Sequence, residues 1–194
     1  MDITLRMCAQ LLGAVLCLGV QVARASDPGI TDTEILLGQP AGITGPLAEM
    51  APDILNATKV LFDSVNEKGG IHGRKIKLLV EDNGYDPKKA VLGAQKLVNS
   101  DGIFAMVGHL GTAQNMASMP VQFEKNVINF LPITAAREMY EPFHKLKYSF
   151  AATYYDQIRT SLPKLVKEKG AKKVCAIYQD DEFGLEVQRG AEAG

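Results

Sequence analysis

The segment Gly108-His109-Leu110-Gly111-Thr112 combines residue types suited to three different chemistries. A histidine on a turn could act as a general base, paired glycines could cradle a phosphate, and a threonine at a helix start could hold an anion. The phosphate reading fails on spacing, because a P-loop runs G-x4-G-K-[ST] and no lysine follows Gly111. The dinucleotide fingerprint G-x-G-x-x-G is also missing after the first strand. Gly42-Ile43-Thr44-Gly45-Pro46 has the wrong spacing, and its proline lacks an N–H. No G-x-S-x-G nucleophile elbow occurs.

His109 has no serine or cysteine identifiable beside it, so a structural role is expected. His72, in a GGIHG turn, and His144, in a charged segment, share no metal-ligand spacing with it. Asp180-Asp181-Glu182 reads as a solvated acidic triplet. The expectation is a protein with no catalytic residue, no metal and no cofactor. What remains is a helix start. Thr112 is placed to cap the next helix, whose free N–H groups and partial positive charge suit a carboxylate.

The elements that must position this loop alternate regularly. Ile35–Ala41 and Lys75–Glu81 read as strands, separated by a helix over Pro52–Lys68 that stops at Gly69-Gly70. Leu55, Val60, Leu61 and Val65 mark the expected inner face of that helix. A second helix opens at Asp86-Pro87, with Asp86 as N-cap and Val91, Ala94, Leu97 and Val98 facing inward. Ile103–Val107 and Val127–Leu131 are short apolar runs, as expected for strands buried on both faces, with a helix near Thr112–Lys125 between them. Tyr148–Ala151 reads as extended, Asp156–Lys169 as helix, Lys173–Tyr178 as a strand, and a last helix begins near Leu185. This order predicts an α/β fold, a doubly wound parallel sheet with a domain boundary near Phe150–Tyr155. One αβα unit after that boundary is too little to bury a parallel sheet, which predicts a piece of a longer two-domain protein. Ligands of such sheets bind beyond the strands' carboxyl ends, here the loops Gly42–Pro52, Asn83–Pro87, Gly108–Thr112 and Pro132–Arg137.

Composition bounds the partners. The chain has 194 residues, is 46% hydrophobic and 22% charged, and carries a formal net charge of −1, so nothing in the bulk favours nucleic acid. Its first 25 residues show Arg6, an apolar run from Met7 to Val22, and Ala23-Arg24-Ala25 before Ser26. That is a secretory signal pattern with cleavage after Ala25. Leu16 before Cys17 argues against a lipid anchor, since a small residue is expected there. Removing Arg6, Arg24 and Asp2 takes the net charge from −1 to −2 and leaves Cys175 as the one cysteine, expected to be buried and inert in its strand.

Taken in order, GITGPLA after the first strand, VNEKGGIHGRKIKLLVED through the second, VGHLGT at the third, FLPITA after the fourth and KVCAIYQDDEFG resemble the periplasmic leucine/isoleucine/valine-binding protein family. These are the substrate-binding components of ABC transporters. The resemblance implies a type 1 periplasmic-binding fold with two α/β lobes that close on a ligand, in mature chains roughly twice as long. Residues 1–25 would be the signal peptide, 26–151 the first lobe and 152–194 the start of the second. It implies a non-enzymatic periplasmic protein whose partners are a small organic ligand and a membrane permease. Leu110, Gly111 and Thr112 match the segment that holds a ligand carboxylate; Ile133, Thr134 and Ala135 match the second clamp. Met50 and Phe183 match positions where amino-acid binders often carry tyrosine.

Three departures from the family pattern point one way. Ala135 stands where a hydroxyl is usual, and Met50 and Phe183 lack a phenol. A less polar pocket follows, open to an apolar or aromatic carboxylate or an amide as well as to a branched-chain amino acid. A sensor domain of the same fold is the alternative reading, and a small α/β enzyme a third. The intact mass of the exported chain should begin at Ser26; a mass that retains Met7–Val22 would contradict the cleavage.

Overall fold

A computed structural model describes residues 27–194; the expected signal segment and its cleavage point lie outside the described residues. The strands are β1 (Glu34–Ala41), β2 (Lys75–Asp82), β3 (Ala105–Val107), β4 (Ile128–Phe130) and β5 (Lys147–Tyr148). They form one sheet in the order β2-β1-β3-β4-β5, every neighbouring pair parallel. The helices are α1 (Ala51–Glu67), α2 (Pro87–Gln95, continued by a π turn over Lys96–Ser100), α3 (Thr112–Glu124), α4 (Tyr154–Lys169) and α5 (Glu182–Glu192). Right-handed crossovers place α1 on one face of the sheet and α2 and α3 on the other. Strand order reverses between β1 and β3, so the loops after those strands share one edge.

Local chemistry explains the helix starts. The Asp86 carboxylate accepts from the Lys89 N–H at 2.9 Å, with Pro87 in the first turn as expected. The α2 face then meets β1 and β3 in a core of Ala94, Leu97, Val98, Ile103, Met106 and Val127. Gly38 lets that helix approach, since a Cβ there would stand 2.8 Å from Ile103 Cδ1 and 3.0 Å from Leu97 Cδ1.

Several expectations need correction. Val60 and Leu61 are exposed, and α1 turns Leu55, Phe62 and Val65 partly inward instead. Thr112 is the first residue of α3, not its cap. Gly111 holds the cap position at φ 104°, a left-handed conformation that favours glycine. Lys173–Tyr178 forms no strand, although α4 and α5 flank it as expected. A parallel strand gains its hydrogen bonds only from a neighbour, and among the described residues none of the five strands lies beside this segment. Ile177 is consequently 96% exposed, and Cys175 is exposed rather than buried.

On the α1 face, Leu37, Val107, Phe130 and Tyr148 of the sheet border an open groove of about 850 Å³, walled by Leu61 and Phe62. The strongly buried core therefore lies on the opposite face. Leu97→Ala should cost about 2–5 kcal/mol in urea unfolding, whereas Leu61→Ala should stay within about 0.5 kcal/mol.

Candidate functional site

Four strand-end loops converge at the β1/β3 edge, and each is fixed by its own hydrogen bonds. Asp82, closing β2, accepts from the Thr44 hydroxyl at 2.7 Å, the Thr44 N–H at 3.1 Å and the Gly84 N–H at 2.9 Å. The Thr44 bond leads in holding the Asp82 carboxyl below its ordinary range. Asn83 then accepts from the Tyr85 N–H at 2.9 Å, and Tyr85 takes a left-handed backbone at φ 58°.

The loops after β3 and β4 are locked to each other. Ile133 N–H donates to His109 O at 2.9 Å, and Gly111 N–H donates to Ile133 O at 3.3 Å, making a bridge of Leu110 with Ile133. Asn115 donates to the His109 carbonyl at 2.8 Å and to the Gly111 carbonyl at 2.6 Å, fastening the turn from below. The sequence-predicted residues Leu110, Gly111, Thr112, Ile133, Thr134 and Ala135 are thereby brought together. Thr112 Oγ1 and Thr134 Oγ1 lie 2.6 Å apart, and the Ala136 N–H donates to Thr134 Oγ1 at 3.3 Å. Thr112 is 1% exposed and Thr134 5%. Two hydroxyls sharing one hydrogen bond leave one proton free. That proton, with the first-turn N–H groups of α3 that have no partner within the helix, can be offered to an anion. Thr134, one residue before Ala135, places its hydroxyl against Thr112.

Tyr154 connects this pair to Phe183. Its N–H donates to the Ala135 carbonyl at 2.9 Å, and its ring meets Phe183 edge-on with centroids 5.1 Å apart. Met50 is not drawn in. It stands about half exposed before α1, bonded through its backbone to its own turn. Tyr85 is the residue that the sequence reading missed. Its ring lies 2.9 Å from where a Cβ on Gly111 would stand, so only glycine fits beneath it. Burial first, then Asp181 and Tyr154 nearby, push the Tyr85 phenol above its ordinary range, which keeps its proton. Only its place in the loop Asn83–Pro87 could have pointed to it.

His109 is fully buried. Contrary to expectation a serine does stand beside it: Ser118 Oγ lies 3.3 Å from Nδ1, brought round by α3, and Asn83 Nδ2 lies 3.3 Å from Nε2. Nε2 accepts from the Asn83 amide, so the ring proton sits on Nδ1 and points at Ser118. The Ser118 proton goes to the Gln114 carbonyl at 2.8 Å. This is the reverse of a base activating a nucleophile. Burial drives the His109 pKa down to about 3, so the ring stays neutral. The unfolded chain would protonate this ring near its ordinary 6.5, so its contribution is complete above that pH and erodes as pH falls toward 3. Urea unfolding of the parent chain should lose about 2 kcal/mol more than that of His109→Gln between pH 6.5 and 4.5.

Comparison with known proteins fits this geometry. The chain is 24% identical to the Leu/Ile/Val-binding protein of Escherichia coli (strain K12) over 152 residues, covering 78% of this chain and 41% of that one. It superposes on a possible leucine/isoleucine/valine-binding protein from Rhodopirellula baltica SH 1 with TM-score 0.76 at 20% identity, covering 88% of this chain and 45% of that one. It also superposes on a fatty acid ABC transporter substrate-binding protein from Thermomonospora curvata, with TM-score 0.75 at 26% identity, covering 86% and 42%. The chain therefore spans less than half the length of these relatives. A family model described as a periplasmic binding protein matches residues 34–194. With its parallel sheet and this match over most of its length, the chain belongs to the periplasmic binding protein family.

Proposed function

We propose that the protein is an extracytoplasmic substrate-binding component of an ABC importer, exported by cleavage after Ala25, that delivers a small carboxylate to a membrane permease and catalyses no reaction. The observation that carries this reading is the Thr112–Thr134 hydroxyl pair at the start of α3. A carboxylate there would accept the free hydroxyl proton and first-turn N–H groups, with the helix dipole in its favour. Tyr85, Tyr154 and Phe183 would wall the ligand body, with Leu110, Gly111, Ile133 and Ala135 shaping the floor. Met50 would reach the ligand only from the rim.

That lining supports the proposed ligand class. Three aromatic rings beside a single carboxylate clamp suit a branched-chain amino acid or an apolar or aromatic carboxylate or amide. The relatives vary in the same direction, one named for leucine, isoleucine and valine and another for a fatty acid. The reversed Ser118–His109 hydrogen bond supports the non-enzymatic reading.

Titration calorimetry with L-isoleucine, L-phenylalanine, benzoate and octanoate would sort the class. For any of these that binds, Thr112→Val should weaken affinity by about 1–2 kcal/mol through loss of a charge-assisted hydrogen bond. An unchanged affinity would remove Thr112 from the clamp.

A further inference from the structure

Charged groups between the sheet and the α4–α5 pair form a connected network, which Lys147 and Asp156 flank. Arg137 opens the short 3-10 turn Arg137–Met139, two residues beyond Ala135. Its Nε lies 3.1 Å from both carboxylate oxygens of Glu186, its Nη2 lies 2.8 Å from Oε1, and its backbone N–H donates to Oε2 at 3.2 Å. Glu186 has no exposed surface and sits on α5, three residues after Phe183. Arg189 reaches the same carboxylate at 3.4 Å and Glu138 at 3.7 Å. Arg137 and Arg189 thus meet Glu186 and Glu138 at the centre of this network. The Arg137 guanidinium also lies 4.2 Å over the Tyr155 ring, beside the Tyr154 that holds Ala135.

A carboxylate buried this deeply has two options, full pairing or release, because a half-paired buried charge is the costly state. Burial pushes the Glu186 carboxyl up, and the Arg137 hydrogen bonds outweigh that and hold it below its ordinary range. A guanidinium fork meeting a carboxylate fixes angle as well as distance. The pair therefore permits one seating of α5 on the loop after β4.

We propose that Arg137 and Glu186 are positioning residues whose buried ion pair sets the seat of α5, and with it Phe183, against the Ile133–Ala135 arm of the clamp. The seating needs no ligand; its effect on affinity rests on the proposed carboxylate site. Only the seated fraction of the protein would be competent to bind, so unseating would lower apparent affinity in proportion.

The test is a double-mutant cycle of Glu186→Gln, Arg137→Gln and the two combined, read by amide hydrogen exchange over residues 183–192 and over β1 without ligand. Each single variant should raise exchange in α5 about tenfold or more and leave β1 protected. The combined variant should cost little beyond either one. Arg189→Gln, on the outer side of the network, should give a smaller rise confined to α5. Binding of L-isoleucine or benzoate, whichever the parent chain takes, should weaken by the same factor as α5 is released. Unchanged α5 exchange in Glu186→Gln, loss of β1 protection together with α5, or additive single effects would overturn the positioning role. Absence of binding by any probe in the parent chain would instead count against the carboxylate site, while the exchange cycle still decides the positioning.

Discussion

Parallel pairing between β3 and β4 does not stop where the strands end. It runs on through His109, Gly111 and Ile133, and almost everything in the candidate site depends on that extension. Strand-end loops ordinarily move independently of one another. Here two of them share backbone hydrogen bonds, so Thr112 on one and Thr134 on the other are held within hydrogen-bond reach before any ligand arrives. The arrangement spends the Gly111 N–H on structure and leaves the next N–H groups of α3 for chemistry.

Beneath these loops lies a buried polar layer. Asn83, His109, Asn115, Ser118, Gln122 and Asn129 are all buried and joined in one hydrogen-bonded chain. Such groups are costly to bury singly and more rigid when they pair with one another, although Gln122 Oε1 and Asn129 Oδ1 have no partner among the described residues. Their gain is directional. An apolar layer would tolerate rotation of the His109–Gly111 turn, whereas Asn115, bonded to two of its carbonyls, does not. The histidine that first suggests catalysis belongs to this foundation.

The fold was largely legible in the sequence because its signals are local. Asp86 before Pro87, the apolar face of α2 and the short all-apolar runs at β3 and β4 each carry their meaning within a few residues. What escaped was set by distant partners. Lys173–Tyr178 has strand composition, but a strand requires a neighbour, and composition does not say whether one is present. Arg137 and Glu186 meet across 49 positions, and neither has a neighbour in sequence that announces the other. The candidate threonine pair was half legible. The motif named both Thr112 and Thr134, but that their hydroxyls meet at 2.6 Å depended on how the loop after β4 turns. Ser118 reaches His109 only because α3 folds back over β3, a fact invisible at nine positions' separation.

The hydroxyl pair carries a further implication for the conditions under which such a site works. Its donors are threonine O–H and backbone N–H groups, and none of these gains or loses a proton across the ordinary range of aqueous pH. The one titratable ring beneath them is held neutral by burial. The donors of the hydroxyl pair themselves therefore keep one protonation state across that range. If the proposed carboxylate site holds, pH would act on it through the ionisation of the ligand and through the stability of the fold, not through the hydroxyl pair.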